Sequence, residues 1–521
     1  MANLIAPKVK QQAVSVTRKM AASLPGLREI AQSRGLKVHH LGAGYPHPEV
    51  TDPRGFLQHQ SDYFDYIKDQ EGLNDPSVLP EYLRESYSYT DTLGPKSARE
   101  TFAHVYGKDW NLNIDPEKLI PTVGASGGIS LACSLFERSG EPIAYITDAP
   151  TYAGFTARAS LCQHATIFSV EMDGEGALPS RMREQIQAAR DLGYFVPFYY
   201  TVPDGHNPAG FSFSQKRREE ILAVLREEGV LVLEDAPYLY INYAAPEDRA
   251  QTFLSIDPKQ TIHLFTGSKI GFPGPRVGYL YSEATLQIEG GEEVPIATLA
   301  LTESSADLLF QNPAALRGFE ALLHERDDNG GFHKRDSMWP LAEDKLSVYR
   351  ENREITLSTL QRELGQYPEY FSWTVPDGGF FSVFTFKRGA AEQDVRTDDA
   401  MIEHMVKDHG IVVIPMYDFY PADVRQRDPG AGMNQLRLSF CFSESQGDAR
   451  REERRRDRDG ARVLPRARAL PRRDLLLCSL LLDYAPSAAH RMPTAQARRT
   501  RHRSSRRYAR RLLVSAWWNT G

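Results

Sequence analysis

Thr261-Ile262-His263-Leu264-Phe265-Thr266-Gly267-Ser268-Lys269 decides the reading of this chain. Residues 261–265 form an apolar run that reads as a buried strand, and the run ends abruptly in small residues, one lysine, Pro273, Pro275 and Arg276. A lysine held among small residues at a strand end can turn inward and lose water, which lowers its pKa and frees the amine for covalent chemistry. A lone loop lysine is ordinarily solvated. Here the same strand-then-polar pattern recurs four times upstream.

Residues 119–123, 143–147, 194–202 and 230–234 are further strand candidates, with helical patterns such as 214–228 between several of them. Near-continuous apolar strands alternating with helices predict an α/β unit with a mostly parallel sheet covered on both faces. In such a sheet the ligand lies beyond the carboxyl ends of the strands. Gly124-Ala125-Ser126-Gly127-Gly128 follows the first strand, Asp148-Ala149-Pro150-Thr151-Tyr152 the second, and Asp204-Gly205-His206-Asn207-Pro208-Ala209-Gly210 the third. Asp235-Ala236-Pro237-Tyr238 ends the fourth, and Lys269 ends the fifth. Five strand ends therefore deliver polar groups to one rim.

Each group suits a distinct task. The free N–H groups of a glycine-rich turn opening a helix can cradle an anion at Ala125 and Ser126, and Thr266, Ser268 and Arg276 can complete a phosphate site from the other side. Asp235 at a buried strand end needs a positive partner, which a protonated pyridine nitrogen supplies. Asn207 and Tyr238 can hydrogen-bond a phenolate oxygen, and Tyr152 can stack on a ring. Phosphate, ring nitrogen, ring oxygen, ring face and a reactive amine are together the requirements of pyridoxal 5′-phosphate.

Composition narrows the alternatives. The chain has 521 residues, 41% of them hydrophobic, which leaves room for two or three globular units. Cys133, Cys162, Cys441 and Cys478 are scattered without paired spacing, so neither a disulfide framework nor a zinc site is expected, and the compartment is read as reducing. The longest apolar run, residues 475–482, is far short of the roughly 20 residues that span a bilayer, so no membrane association is expected. Residues 1–28 contain no acid, a weak likeness to an organelle transit peptide; a plain arm in a cytoplasmic protein is the favoured reading.

Residues 14–35 read as a helix, followed by the loop Leu41-Gly42-Ala43-Gly44-Tyr45-Pro46-His47-Pro48, and Tyr87-Ser88-Tyr89-Thr90 leads into another helix. A long helix over 344–364 bridges to strand-like segments 380–386, 411–415 and 436–442, with a helix near 398–408, which predicts a small α+β unit. The expected organisation is an arm over 1–48, a large domain over 49–340, a small domain over 341–449 and a tail over 450–521. That tail has 20 arginines, no lysine and 6 acids against a whole-chain net charge of −6. It reads as a disordered or frame-shifted appendage; a basic arm for nucleic acid is the competing reading, and nucleic acid is not an expected partner.

Asn207-Pro208-Ala209-Gly210, Asp235-Ala236-Pro237-Tyr238, Ser268-Lys269 with Arg276, and Asn434-Gln435-Leu436-Arg437-Leu438-Ser439-Phe440 together resemble the signature set of the class I/II aminotransferases. Tyr200-Thr201-Val202-Pro203 and residues 24–30 are most similar to the branch containing the kynurenine/aminoadipate and aromatic amino-acid enzymes. The resemblance implies the aspartate-aminotransferase-like fold, Lys269 as the Schiff-base lysine and proton shuttle, Asp235 at the pyridine nitrogen, and Asn207 and Tyr238 at the ring hydroxyl. It also implies Tyr152 over the ring, Ala125, Ser126, Thr266 and Arg276 at the phosphate, Arg437 on the substrate α-carboxylate, and Gly44 at the substrate. Tyr89 is implied to reach the phosphate of a partner subunit in a homodimer. His206, Gly127 and Met416 depart from the family pattern. The implied reaction moves an amino group between an amino acid with an aromatic or other large side chain and a 2-oxo acid. A lyase or decarboxylase using the same cofactor is the alternative, because these residues bind the cofactor without choosing the bond broken.

Overall fold

The computed structural model describes residues 15–42, 44, 46, 51–73, 75, 77–137, 140–288, 290–388 and 395–441. The basic tail and most of the loop around Gly44 lie outside the described residues.

Its centre is an eight-stranded sheet. Across the sheet the order is Ile120–Val123, Val277–Ser282, Thr261–Thr266, Leu231–Asp235, Phe198–Thr201, Ile143–Ala149, Ala165–Asp173 and Gly176–Ala177. The neighbours from Thr261–Thr266 to Ala165–Asp173 pair in parallel. Val277–Ser282 runs antiparallel to both of its neighbours, which leaves Ile120–Val123 pointing the same way as the parallel set. The apolar runs are continuous because both faces are covered. Ile143, Tyr145, Tyr200 and Leu233 pack into one core, whereas Ala144, Ile146, Tyr199 and Val232 pack into the other.

All five expected strands form. The expected 194–202 strand is cut back at both ends to Phe198–Thr201, and Thr261–Thr266 extends one residue beyond the expected 261–265 run. Ala165–Asp173 and Val277–Ser282 were not anticipated. The former lies near the sheet edge and is only half-buried over residues 165–168, so its side chains carry a weaker apolar signal. The latter follows directly on the polar turn ending at Arg276, whose φ of 58° reverses the chain.

Local chemistry sets the helix starts. Ser214 caps Gln215–Glu227 by accepting from the Arg217 N–H at 3.2 Å. Gly124 begins Gly124–Glu137 immediately after the first strand with φ of 63°, and a Cβ there would lie 2.6 Å from an Arg276 nitrogen, so this corner requires glycine.

A four-stranded sheet of Phe371–Trp373, Phe381–Phe386, Gln435–Ser439 and Ile414–Pro415 stands beside the large one. The long helix, Trp339–Leu364, begins earlier than the apolar pattern indicates, because Pro340 sits at its favoured first turn and Ser337 accepts from the Trp339 N–H. Its first half enters the large core through Leu346 and Tyr349, and its last turns enter the small core through Leu360 and Leu364. The N-terminal helix Val16–Ser33 packs on Asp399–His409 through Leu24, Leu27, Ala31 and Val406. No helix among the described residues is long and apolar enough to cross a membrane.

Candidate active site

The carboxyl ends of the parallel strands open into a cavity of about 560 Å³. Gly44, Ala125, Ser126, Tyr152, Asn207, Asp235, Tyr238, Thr266, Ser268, Lys269, Arg276 and Arg437 all line it. Tyr89 does not. It is 88% exposed, touches Phe310 edge-on at 5.7 Å, and lies in a separate surface depression with Glu85 and Arg317.

Lys269 is half-buried, and its Nζ donates to the Gly44 carbonyl at 2.9 Å. The rings of Tyr238 and Phe380 lie 5.4 Å from that nitrogen. Burial, with Arg276 and Arg437 adding to it, lowers the amine to about pKa 8. A usable fraction is therefore uncharged near neutrality.

Asp235 terminates its strand with one oxygen accepting from the Tyr200 hydroxyl at 2.8 Å. The other oxygen is buried and has no partner. Burial pushes this carboxyl up to about 7, against the opposing pull of the Tyr200 hydrogen bond. An acceptor held in this way is built to meet a cationic donor.

Across the cavity, Arg437 is 1% exposed. One terminal nitrogen donates to Asn207 Oδ1 at 2.8 Å and the other to the Gly42 carbonyl at 3.2 Å, while the buried Nε has no partner. The Phe381 ring lies 4.0 Å from the guanidinium, and burial lowers the group to about 10. Burial likewise raises the Tyr152 and Tyr238 hydroxyls.

Opposite Arg437, the start of the Gly124–Glu137 helix faces the Thr266–Ser268 turn. The Thr266 and Ser268 hydroxyl oxygens are 2.9 Å apart, and Arg276 donates to Ser268 at 3.3 Å and to the Val123 carbonyl at 3.3 Å. Helix N–H groups, two hydroxyls and one guanidinium thus converge where an anion fits.

Two features escaped the sequence reading. The Val16–Ser33 helix contributes Arg18, Met20, Leu24 and Arg28 to the cavity wall, and His40 joins them. Residues 24–30 carried the only sequence signal for this wall, as a likeness without an assigned role. Tyr200 was quoted in the same way, and only the fold shows its hydroxyl on Asp235.

The family model for aminotransferase class I and II matches residues 83–446. The chain belongs to the class I and II aminotransferases. Among relatives of this aminotransferase, the (S)-3,5-dihydroxyphenylglycine transaminase of Amycolatopsis orientalis is 27% identical over 433 residues, 82% of this chain and 89% of the relative. The mitochondrial kynurenine/alpha-aminoadipate aminotransferase of Bos taurus is 25% identical over 309 residues, 58% of this chain and 65% of the relative. The structure of Pyrococcus horikoshii kynurenine aminotransferase superposes with a TM-score of 0.65 at 21% identity, covering 85% of this chain and 93% of that one, and shows the shared fold.

Pyridoxal 5′-phosphate is the cofactor of this aminotransferase, and the cavity suits it. Among the described residues Asp235 is the only acid lining the cavity, against Arg18, Arg28, Lys269, Arg276 and Arg437, so the space favours anions at its rim. The orphaned Asp235 oxygen suits a protonated ring nitrogen, the Arg276 turn suits a phosphate, and the partly neutral Lys269 amine suits a carbonyl.

Proposed function

We propose that this aminotransferase moves the amino group of an α-amino acid with an aromatic or other large side chain onto a 2-oxo acid, with Lys269 as the proton-transferring residue. The observation that carries this reading is the convergence of Lys269, the half-satisfied Asp235 and the buried Arg437 on one cavity of about 560 Å³. When bound, pyridoxal phosphate supplies an electron sink that lets the substrate α-hydrogen leave as a proton and carries the amino group between substrates. The Ala125–Ser126 helix start, Thr266, Ser268 and Arg276 would hold the phosphate, and Tyr152 would cover the ring. Asp235 keeps the ring nitrogen protonated, and Asn207 and Tyr238 hold the ring oxygen. Arg437 binds the substrate carboxylate and Gly44 lies beside it, which orients the α-hydrogen toward Lys269. The amine, lowered to about 8, takes that proton as a base and returns it as an acid.

The substrates named in these relatives support a large or aromatic side chain, and Met20, Leu24, Pro25 and Ile414 give the cavity an apolar wall to receive one. Residues 49–340 and 341–449 act as large and small domains with the cavity between them. The active species is a homodimer, in which the exposed Tyr89 reaches the phosphate of the other copy, and it works in the cytoplasm in amino-acid metabolism.

Arg437→Lys tests the substrate side of this reading. Lysine cannot reproduce a planar two-point contact with a carboxylate. The loss is roughly 1.5 to 3 kcal/mol, so kcat/KM for every amino acid should fall by about one to two orders of magnitude. The cofactor absorbance should not change. Measured 2-oxo acid formation at the wild-type kcat/KM would refute the carboxylate role.

A further inference from the structure

A polar cluster is buried beside the cavity-lining residue Asn207. Asp148, Tyr199, Thr201 and His206 are each 0% exposed. The Asp148 carboxylate accepts from Tyr199 through one oxygen, and from Thr201 at 2.7 Å and His206 Nε2 at 3.2 Å through the other. His206 Nδ1 accepts from the Ala209 N–H at 3.2 Å, which leaves the ring proton on Nε2, facing Asp148. The ring lies nearly parallel to those of Phe211 and Phe213, at 16° and 10°. His206 thus ties the end of the Ile143–Ala149 strand to the turn that carries Asn207.

That turn has no room to relax. Its ends sit at Gly205 and Gly210, both at positive φ, and a Cβ on Gly210 would lie 2.0 Å from the Phe381 carbonyl oxygen. The Gly210 N–H donates to the His206 carbonyl at 2.6 Å, and the His206 N–H donates to the Phe211 carbonyl at 2.8 Å. Asn207, one residue beyond His206, holds Arg437 at 2.8 Å. An apolar side chain packed beside Phe211 and Phe213 would fill this volume without requiring a buried carboxylate, so packing does not explain the cluster. Direction does: the ring offers a donor on one edge and an acceptor on the other, and so fixes where residue 207 points.

We infer that His206 is a positioning residue for transamination, which aims Asn207 at Arg437 and thereby sets the substrate-carboxylate site. The inference rests on the reading of Arg437 given above. In the intact holoenzyme, His206→Phe keeps a ring against Phe211 and Phe213 but removes both ring hydrogen bonds. KM for the amino acid should rise about tenfold, the loss of one such contact, with kcat little changed. His206→Gln, which restores a donor and an acceptor on a more flexible stem, should recover part of the affinity. In an Arg437→Lys background the His206→Phe change should add less than about twofold, because coupled residues do not add. If His206→Phe yields no folded protein, the same comparison made with His206→Gln decides. An equal KM increase in both backgrounds, or no increase in either, overturns the role of His206. A wild-type KM in Arg437→Lys alone overturns the carboxylate assignment, and this inference with it.

Discussion

Replacing Lys269 by alanine should abolish turnover while the protein still binds pyridoxal phosphate. The side chain sits at the end of Thr261–Thr266 with its amine on the Gly44 carbonyl and its pKa lowered to about 8. Among the described residues no other lysine lines the cavity, so none of them offers an amine to replace it. Alanine removes the base that takes the α-proton, and general-base catalysis of this kind contributes typically 10²–10⁴-fold before the loss of covalent attachment is added. The phosphate cradle at Ser126, Thr266, Ser268 and Arg276 and the partner oxygen of Asp235 are untouched, so the cofactor should stay bound non-covalently. Equilibrium dialysis with a 2-oxo acid assay separates the two effects, and normal transamination by the variant would refute the assignment.

Asp235→Asn should cost several orders of magnitude in rate and, in the apoprotein, relieve a pH-dependent strain on folding. The rate falls because an amide cannot hold the ring nitrogen protonated. The stability effect follows from the raised pKa, about 7 in the fold against an ordinary value of 3.8. Between these values the folded apoprotein binds a proton that the unfolded chain has released. The penalty is therefore absent below about pH 4, grows as pH rises, and is complete above about pH 7, at up to about 4 kcal/mol. The difference in stability between variant and wild-type apoproteins should move in favour of Asp235→Asn between pH 4 and pH 8. Bound cofactor should reverse the order, since the ring nitrogen then stabilises the carboxylate. Chemical denaturation of both proteins at the two pH values, with and without cofactor, checks this; parallel pH curves would mean that Asp235 does not carry the strain.

The residues that end strands were legible because burial and polarity change there within one or two positions. Val232 to Asp235 passes from a solid apolar run to an acid, and Phe265 to Lys269 does the same, so a local rule locates both. The neighbour that defines what Asp235 can do, Tyr200, is 35 residues away and looks in sequence like one more aromatic in a buried strand. His206 is separated from Asp148 by 58 residues, and only the parallel register brings the two together. The cavity wall built by Val16–Ser33 was obscure for another reason. That helix brings Arg18 and Arg28 to the cavity, and the helical pattern alone does not say what those side chains face. Ala165–Asp173 was missed because a strand near the sheet edge, half-buried over its first residues, lacks the continuous apolar signature of its neighbours.

The central claim, that Lys269 is the amine to which the cofactor of this aminotransferase is joined, is tested most directly by reducing the holoenzyme with borohydride, digesting it and mapping the modified peptide by mass spectrometry. The account predicts one phosphopyridoxyl group per chain, on Lys269. A label on any other lysine, or a fully active enzyme that reduction leaves unlabelled, would contradict it.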